Sequence, residues 1–80
     1  MPLPAAFLLE QSIQIAWDYL ERTGEIDEPE TASRFLSDTI AIMMRHGQTN
    51  RLLLSNRAIT AYQRFRQTKV IEHLPEQASR

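Results

Sequence analysis

The two histidines are the residues best suited to acid–base or metal chemistry, because the unperturbed pKa of imidazole lies near neutrality. His46 and His73 belong to no His-x3-His or His-Glu-x-x-His pattern, and the chain has no cysteine. The spacing that would place two metal ligands on one helix face is therefore missing. We expect no metal site and no cofactor, and we interpret His46 as a residue at the C-terminal end of a helix.

The hydroxyl and carboxyl groups also lack the spacing of a hydrolase. None of the five serines lies in a Gly-x-Ser-x-Gly turn, and the two glycines, Gly24 and Gly47, are too far apart to form a phosphate-binding loop. Four acidic residues fall within 25–30, where the N-terminus of a following helix would favour negative charge. We therefore expect a protein that is not an enzyme and has no small-molecule substrate.

One set of polar side chains has the chemistry of nucleic-acid recognition. Two arginines seven residues apart share a helix face with amide and hydroxyl groups that can contact bases and phosphates. The set is Asn56, Arg57, Thr60, Arg64 and Gln67. The helix before Gly47 and the helix after it also have the outline of a helix-turn-helix. Because the net charge is −1 and no dense basic patch occurs, a solvated face is the simpler interpretation, and nucleic-acid binding is the alternative function.

Three amphipathic stretches must position these groups. Apolar residues recur at three- and four-residue spacing, and neither hairpin dipeptides nor β-branched clusters occur. The fold class is therefore all-α, a small antiparallel three-helix bundle forming one domain over residues 1–80. The helices are predicted at 5–23, 28–46 and 51–68, with a possible short fourth segment at 69–74 and flexible ends at 1–4 and 75–80.

Capping residues predict where the helices begin and end. Asp27 is expected to cap the second helix, with Glu30 completing a capping box, and both glycines are expected to end helices in the left-handed conformation. The third helix has two possible starts. Either Asn50 caps a helix that continues to about residue 68, which the apolar register favours, or Ser55 is the cap and 51–54 forms a separate turn.

The second helix is the expected centre of the bundle. Its apolar residues cover about half of its circumference, which is wider than a single buried stripe requires. We also expect Trp17 to lie in the core, because it is the largest apolar side chain. The expected core residues are Leu9, Ile13, Trp17, Leu20, Phe35, Leu36, Ile40, Met43, Leu54, Ala58, Tyr62 and Phe65.

A surplus of apolar residues is the strongest indication of function. One small core leaves over Phe7, Leu8, Ile15, Tyr19, Ile26, Ile42, Met44, Leu52, Leu53, Ile59, Val70, Ile71 and Leu74. Two groups are organised as strips: Leu8, Ile15 and Tyr19 on the first helix, and Val70, Ile71 and Leu74 near the end. Eighty residues bury only about 60% of the surface of the unfolded chain, so a second molecule would add stability. We expect an interaction module that forms a homo-oligomer, most simply a dimer, or docks on a partner protein.

The charge distribution is uneven although the net charge is small. Residues 1–40 carry eight acidic and two basic residues, and residues 41–80 carry two acidic and seven basic ones. This asymmetry can hold helices together within one bundle or orient two copies. No targeting pattern and no apolar run of membrane-spanning length occurs, so we expect a cytoplasmic protein that does not bind membranes.

Overall fold

The computed structural model describes the backbone of residues 4–73 and the side chains of residues 4–68. It contains three helices: α1 at Ala5–Arg22, α2 at Pro29–Arg45 and α3 at Arg51–His73. Each helix packs against the other two, which confirms the all-α three-helix bundle. None of the described helices is both long and apolar enough to cross a lipid bilayer.

Both glycines end helices as the sequence predicts. Gly24 and Gly47 have φ values of +72° and +95°, in the region that side chains with a Cβ rarely adopt. After α1, the N–H of Glu25 donates to the carbonyl of Leu20 at 2.8 Å, and the N–H of Gly24 donates to Glu21 at 3.1 Å. The same two bonds recur after α2. Each helix therefore ends in a Schellman motif that satisfies its last carbonyl groups.

The predicted Asp27 cap is wrong. The N-cap residue of α2 is Glu28, and no side chain caps this helix end. Pro29 is the first helical residue, where its missing N–H costs nothing. The Asp27 carboxylate binds Arg66 of α3 instead, because a guanidinium offers a charged, bidentate partner.

The start of α3 distinguishes the two capping alternatives. The Asn50 side chain accepts a hydrogen bond from the N–H of Leu53 at 3.0 Å, which is the geometry of an N-cap. Ser55 lies inside the helix, and its hydroxyl donates to the Leu52 carbonyl. The helix then continues unbroken to His73. Residues 69–73 therefore belong to α3 rather than to a separate fourth segment.

The core is narrower than the sequence suggests. Its fully or nearly buried apolar residues are Leu8, Ala16, Leu20, Ala32, Leu36, Ile40, Leu54, Ala58 and Tyr62. Two polar residues, Ser12 and Ser55, are also fully buried. All twelve expected core residues either belong to this set or pack against it. Trp17, which was expected in the core, is only half-buried and packs against the cluster from its margin.

The error on α1 has a geometric cause. The buried stripe is Leu8, Ser12, Ala16 and Leu20, a row of residues four apart. Small side chains on this row allow neighbouring helix backbones to approach closely, whereas a large indole is accommodated at the margin. A prediction that gives large side chains the most weight therefore places the buried face of α1 too close to Trp17.

The second helix is not the centre of the bundle. Among the three helices, α3 makes the most extensive contacts and α2 the least. The buried residues of α2 form one stripe, Ala32, Leu36 and Ile40, while Ile42 is 48% exposed. The wide apolar arc of α2 is therefore covered only in part, and Ile42 is left facing solvent.

Candidate interaction surfaces

The apolar strip predicted on α1 is only partly available. Leu8 is 7% exposed and belongs to the core, so its assignment to an interface is wrong. It begins the buried stripe that continues through Ser12. Tyr19 is 42% exposed, and Ile15 is half-buried without packing against the core cluster. Ile15 and Tyr19 therefore provide the accessible part of the strip.

The second predicted strip falls outside the described side chains. The backbone at Val70 and Ile71 is part of α3, and Leu74 lies beyond the described residues. The interface assigned to these three residues stays a prediction.

Three exposed apolar residues were not assigned to a site by the sequence. Leu52 is 63% exposed, Ile42 48% and Phe7 42%. All three were counted in the apolar surplus, but none lies in a strip of regular spacing on its own helix. Leu52 becomes a candidate interface residue only once the packing of α1 beside α3 is known.

Two side-chain contacts establish how α1 and α3 lie together. Arg51 donates to the Gln11 side chain, and Gln63 donates to Glu25, just beyond α1, at 3.3 Å. These contacts join residues 40 and 38 positions apart. The two helices therefore run parallel in the up-down-up bundle, with each residue of α1 beside the residue about 39 positions later.

The contacts identify the edge of each helix that meets the other. On α1, the residues that follow Gln11 on the same helix face are spaced by four, three and four positions and end at Arg22. On α3, a row with the same spacing begins at Leu52 and ends at Gln63. We call the surface made by these two rows the α1–α3 face. It consists of Gln11, Ile15, Asp18 and Arg22 with Leu52, Asn56, Ile59 and Gln63, and Tyr19 borders it.

The loop between α1 and α2 is fastened to one end of α3. The Arg66 guanidinium donates to Asp27 through Nε at 2.9 Å and through a terminal nitrogen at 3.2 Å. Its other terminal nitrogen lies 3.7 Å from Glu25, whose carboxylate also accepts from Thr23 at 2.6 Å. Two of the four acidic residues that the sequence assigned to the helix dipole, Glu25 and Asp27, are therefore paired with an arginine of α3, whereas Glu30 lies in the first turn of α2 as expected.

Three aromatic rings, from Phe35, Tyr62 and Phe65, pack together at the end of the bundle where Arg66 binds the loop. Phe35 and Phe65 are stacked with centroids 4.7 Å apart, and Tyr62 meets Phe35 edge to face at 5.8 Å. Burial raises the pKa of the Tyr62 hydroxyl, and a hydrogen bond with the backbone of Asp27 partly offsets that rise. The hydrogen bonds that Arg66 donates to the Asp27 carboxylate raise the pKa of the Arg66 guanidinium. These groups stabilise the loop and offer no reacting pair.

The five candidate nucleic-acid residues lie together on the outer side of α3. Asn56, Arg57, Thr60, Arg64 and Gln67 are all exposed. Neither arginine forms an ion pair within the described part of the chain. No acidic residue occurs from Arg51 to Thr68, so this face is positive although the whole chain is not.

Two clefts lie at opposite ends of α2. One, of about 300 Å³, is lined by Glu30, Thr31, Arg34, Phe35, Asp38 and Phe65. The other, of about 330 Å³, is lined by Ala5, Ala6, Leu9, Ala41, Met44 and Arg45. Neither lining includes a serine or a histidine. Among the described residues, no three His, Asp or Glu side chains converge as a metal site would require.

Comparisons of this chain with protein-family models, with curated proteins and with solved structures give no match.

Proposed function

We propose that this chain is a non-enzymatic protein–protein interaction module that self-associates, most simply as a dimer. The observation that carries the proposal is the exposure of large apolar groups along α1 and α3. Leu52 is 63% exposed and Tyr19 is 42% exposed, and Ile15 is only half-buried without belonging to the core cluster. Burying such groups against another molecule is favourable by roughly 25 cal/mol per Å² of apolar surface.

The exposed apolar groups of the α1–α3 face support this proposal. Three of its eight residues are branched aliphatic residues, and a tyrosine borders them. Aromatic side chains, tyrosine among them, are enriched in protein interfaces. A second copy is the simplest partner, because a small core without disulfides gains stability from association.

Sedimentation equilibrium tests the proposal. The weight-average mass should rise from that of one chain toward that of two as the protein concentration increases. Leu52→Ser and Tyr19→Ser should shift this rise to higher concentration, since both remove exposed apolar surface. Ile42→Ser is the matched control, because Ile42 is similarly exposed but lies on α2. A wild-type protein that stays at the mass of one chain throughout would refute self-association.

Nucleic-acid binding by α3 is a second candidate function. The specific observation is that Arg57 and Arg64 are exposed, unpaired within the described chain and accompanied by three polar side chains on an acid-free face. Fluorescence anisotropy with labelled DNA and RNA at low salt tests it. Binding should weaken with salt and with Arg57→Ala or Arg64→Ala, and should be unaffected by Arg45→Ala on α2. The absence of binding at low salt would exclude this function.

A further inference from the structure

The loop between α1 and α2 is held by one short stretch of α3. Gln63 and Arg66 both contact the Glu25 carboxylate. Arg66 also donates to the Asp27 carboxylate through two nitrogens, and the Tyr62 hydroxyl is hydrogen-bonded to the backbone of Asp27. Three residues within about one turn of α3 therefore fasten the loop through polar contacts.

These contacts are of a kind that contributes little stability. The Asp27 side chain is 64% exposed and the Arg66 side chain is 33% exposed, so water and salt screen their attraction. Ile26 is the one apolar residue of the loop, and it is only half-buried where it packs against the core. A segment with few buried apolar contacts opens locally at a lower free-energy cost than global unfolding.

Tyr62 connects the loop to an aromatic group that is already accessible from another side. Its ring lies 5.8 Å from that of Phe35 and 6.1 Å from that of Phe65, measured between centroids. Phe35 and Phe65 are half-buried and line the cleft of about 300 Å³ beside α2. Tyr62 is 2% exposed and is not part of that lining, so its hydroxyl end is covered where it meets the loop.

We propose that the loop is a lid, fastened to α3 by Arg66, whose opening uncovers Tyr62 without unfolding the bundle. With the lid open, the Tyr62 hydroxyl becomes accessible beside Phe35 and Phe65. The three rings then form one aromatic surface with a polar group, a composition that suits a protein contact site. Ionic strength controls the lid, because salt weakens the attraction between Arg66 and the carboxylates of the loop. The inference depends neither on self-association nor on nucleic-acid binding.

The two tyrosines of the chain provide the measurement. N-acetylimidazole acetylates accessible tyrosine hydroxyls, and mass spectrometry of proteolytic peptides separates the product at Tyr62 from that at Tyr19. Because Tyr19 is 42% exposed, it serves as the internal reference for the activity of the reagent. A low micromolar protein concentration keeps association from covering Tyr19.

Arg66→Ala removes the fastening between α3 and the loop. Exposed ion pairs of this kind shift an equilibrium by a factor of about two to five. We therefore expect the acetylation rate of Tyr62, relative to that of Tyr19, to rise about two- to fivefold in Arg66→Ala. Sodium chloride at about 1 M should raise the relative rate in the wild type and have little effect in the variant, which lacks the charge that salt screens.

Asn50→Ala separates lid opening from global unfolding. Asn50 caps the opposite end of α3, so its loss destabilises the whole bundle without altering a contact of the loop. If the reagent reached Tyr62 only through global unfolding, Asn50→Ala would raise the relative rate as Arg66→Ala does. Arg64→Ala is the matched charge control, because Arg64 is exposed on α3 near Arg66 and forms no ion pair within the described residues.

The outcomes decide between a lid and a fixed loop. A relative rate that rises in Arg66→Ala and in salt, with both control variants at the wild-type rate, supports the lid. An unchanged rate in Arg66→Ala, or an equal rise in Asn50→Ala, overturns it. A wild-type Tyr62 that reacts as fast as Tyr19 also overturns it, since the loop would then leave the hydroxyl uncovered.

Discussion

Replacing Ser12 with alanine should stabilise the protein. The Ser12 side chain is fully buried, and its hydroxyl oxygen is buried without a hydrogen-bond partner in the described structure. Burying a hydroxyl in this way costs about 1–3 kcal/mol in proteins. Alanine removes the unsatisfied group from the α1 stripe, and it also has a helix propensity better than that of serine by up to about 0.7 kcal/mol.

The gain is reduced by lost packing. Removing one oxygen from a close-packed site forfeits several dispersion contacts of about 0.1–0.2 kcal/mol each. We therefore expect Ser12→Ala to raise the free energy of unfolding by about 1 kcal/mol. In a domain of this size, such a change corresponds to a rise of roughly 4–8 °C in the melting temperature.

The chain provides a matched control in Ser55. This residue is also fully buried on a neighbouring helix, but its hydroxyl donates to the Leu52 carbonyl at 3.0 Å. Ser55→Ala loses a hydrogen bond worth about 1 kcal/mol, which the helix propensity of alanine only partly offsets. We expect Ser55→Ala to be neutral or destabilising by about 0.5 kcal/mol. Comparing the same substitution at the two buried serines isolates the cost of the hydrogen-bond partner that the Ser12 hydroxyl lacks.

Urea denaturation followed by circular dichroism measures both variants. All samples need one low protein concentration, because association would add stability that depends on concentration. The slope of unfolding free energy against urea should be the same for each, so that midpoints report stability alone. A Ser12→Ala variant that is destabilised as much as Ser55→Ala would refute the argument, since the Ser12 hydroxyl would then have a partner.

Three further predictions concern the loop and the helix ends. Asn50→Ala should lower the free energy of unfolding by about 1 kcal/mol, because the N–H of Leu53 loses its cap; an unchanged urea midpoint would contradict this. Arg66→Ala should cost at most about 1 kcal/mol, since the bound Asp27 carboxylate is 64% exposed and exposed pairs are weak; the cost measured in 1 M salt should be smaller. The pKa of Tyr62 is raised in the folded state, so above pH ~10 the unfolded chain loses this proton first and stability falls as the pH rises. Thermal unfolding between pH 8 and 11 should show a steeper loss for the wild type than for Tyr62→Phe.

Much of the fold could be predicted from the sequence because it depends on local chemistry. The two glycines end helices wherever they stand between apolar repeats, since a left-handed residue is needed to close a Schellman motif. The Asn50 cap and the register through Ser55 likewise involve residues only a few positions apart. These features gave the class, the number of helices and most of their limits.

The sequence by itself determined which residues are apolar and where each helix can begin and end. The tertiary structure decided which side of each helix turns inward. On α1 the row that turns inward contains the small residues Ser12 and Ala16 together with Leu8, and Trp17 lies at the margin of the core. The role of Asp27 depended on an arginine 39 residues away, and the α1–α3 face exists only because Leu52 and Ile15 belong to parallel neighbouring helices. Local patterns define the surfaces of single helices, whereas burial and charge pairing arise from the distances between helices, and those distances are set by packing.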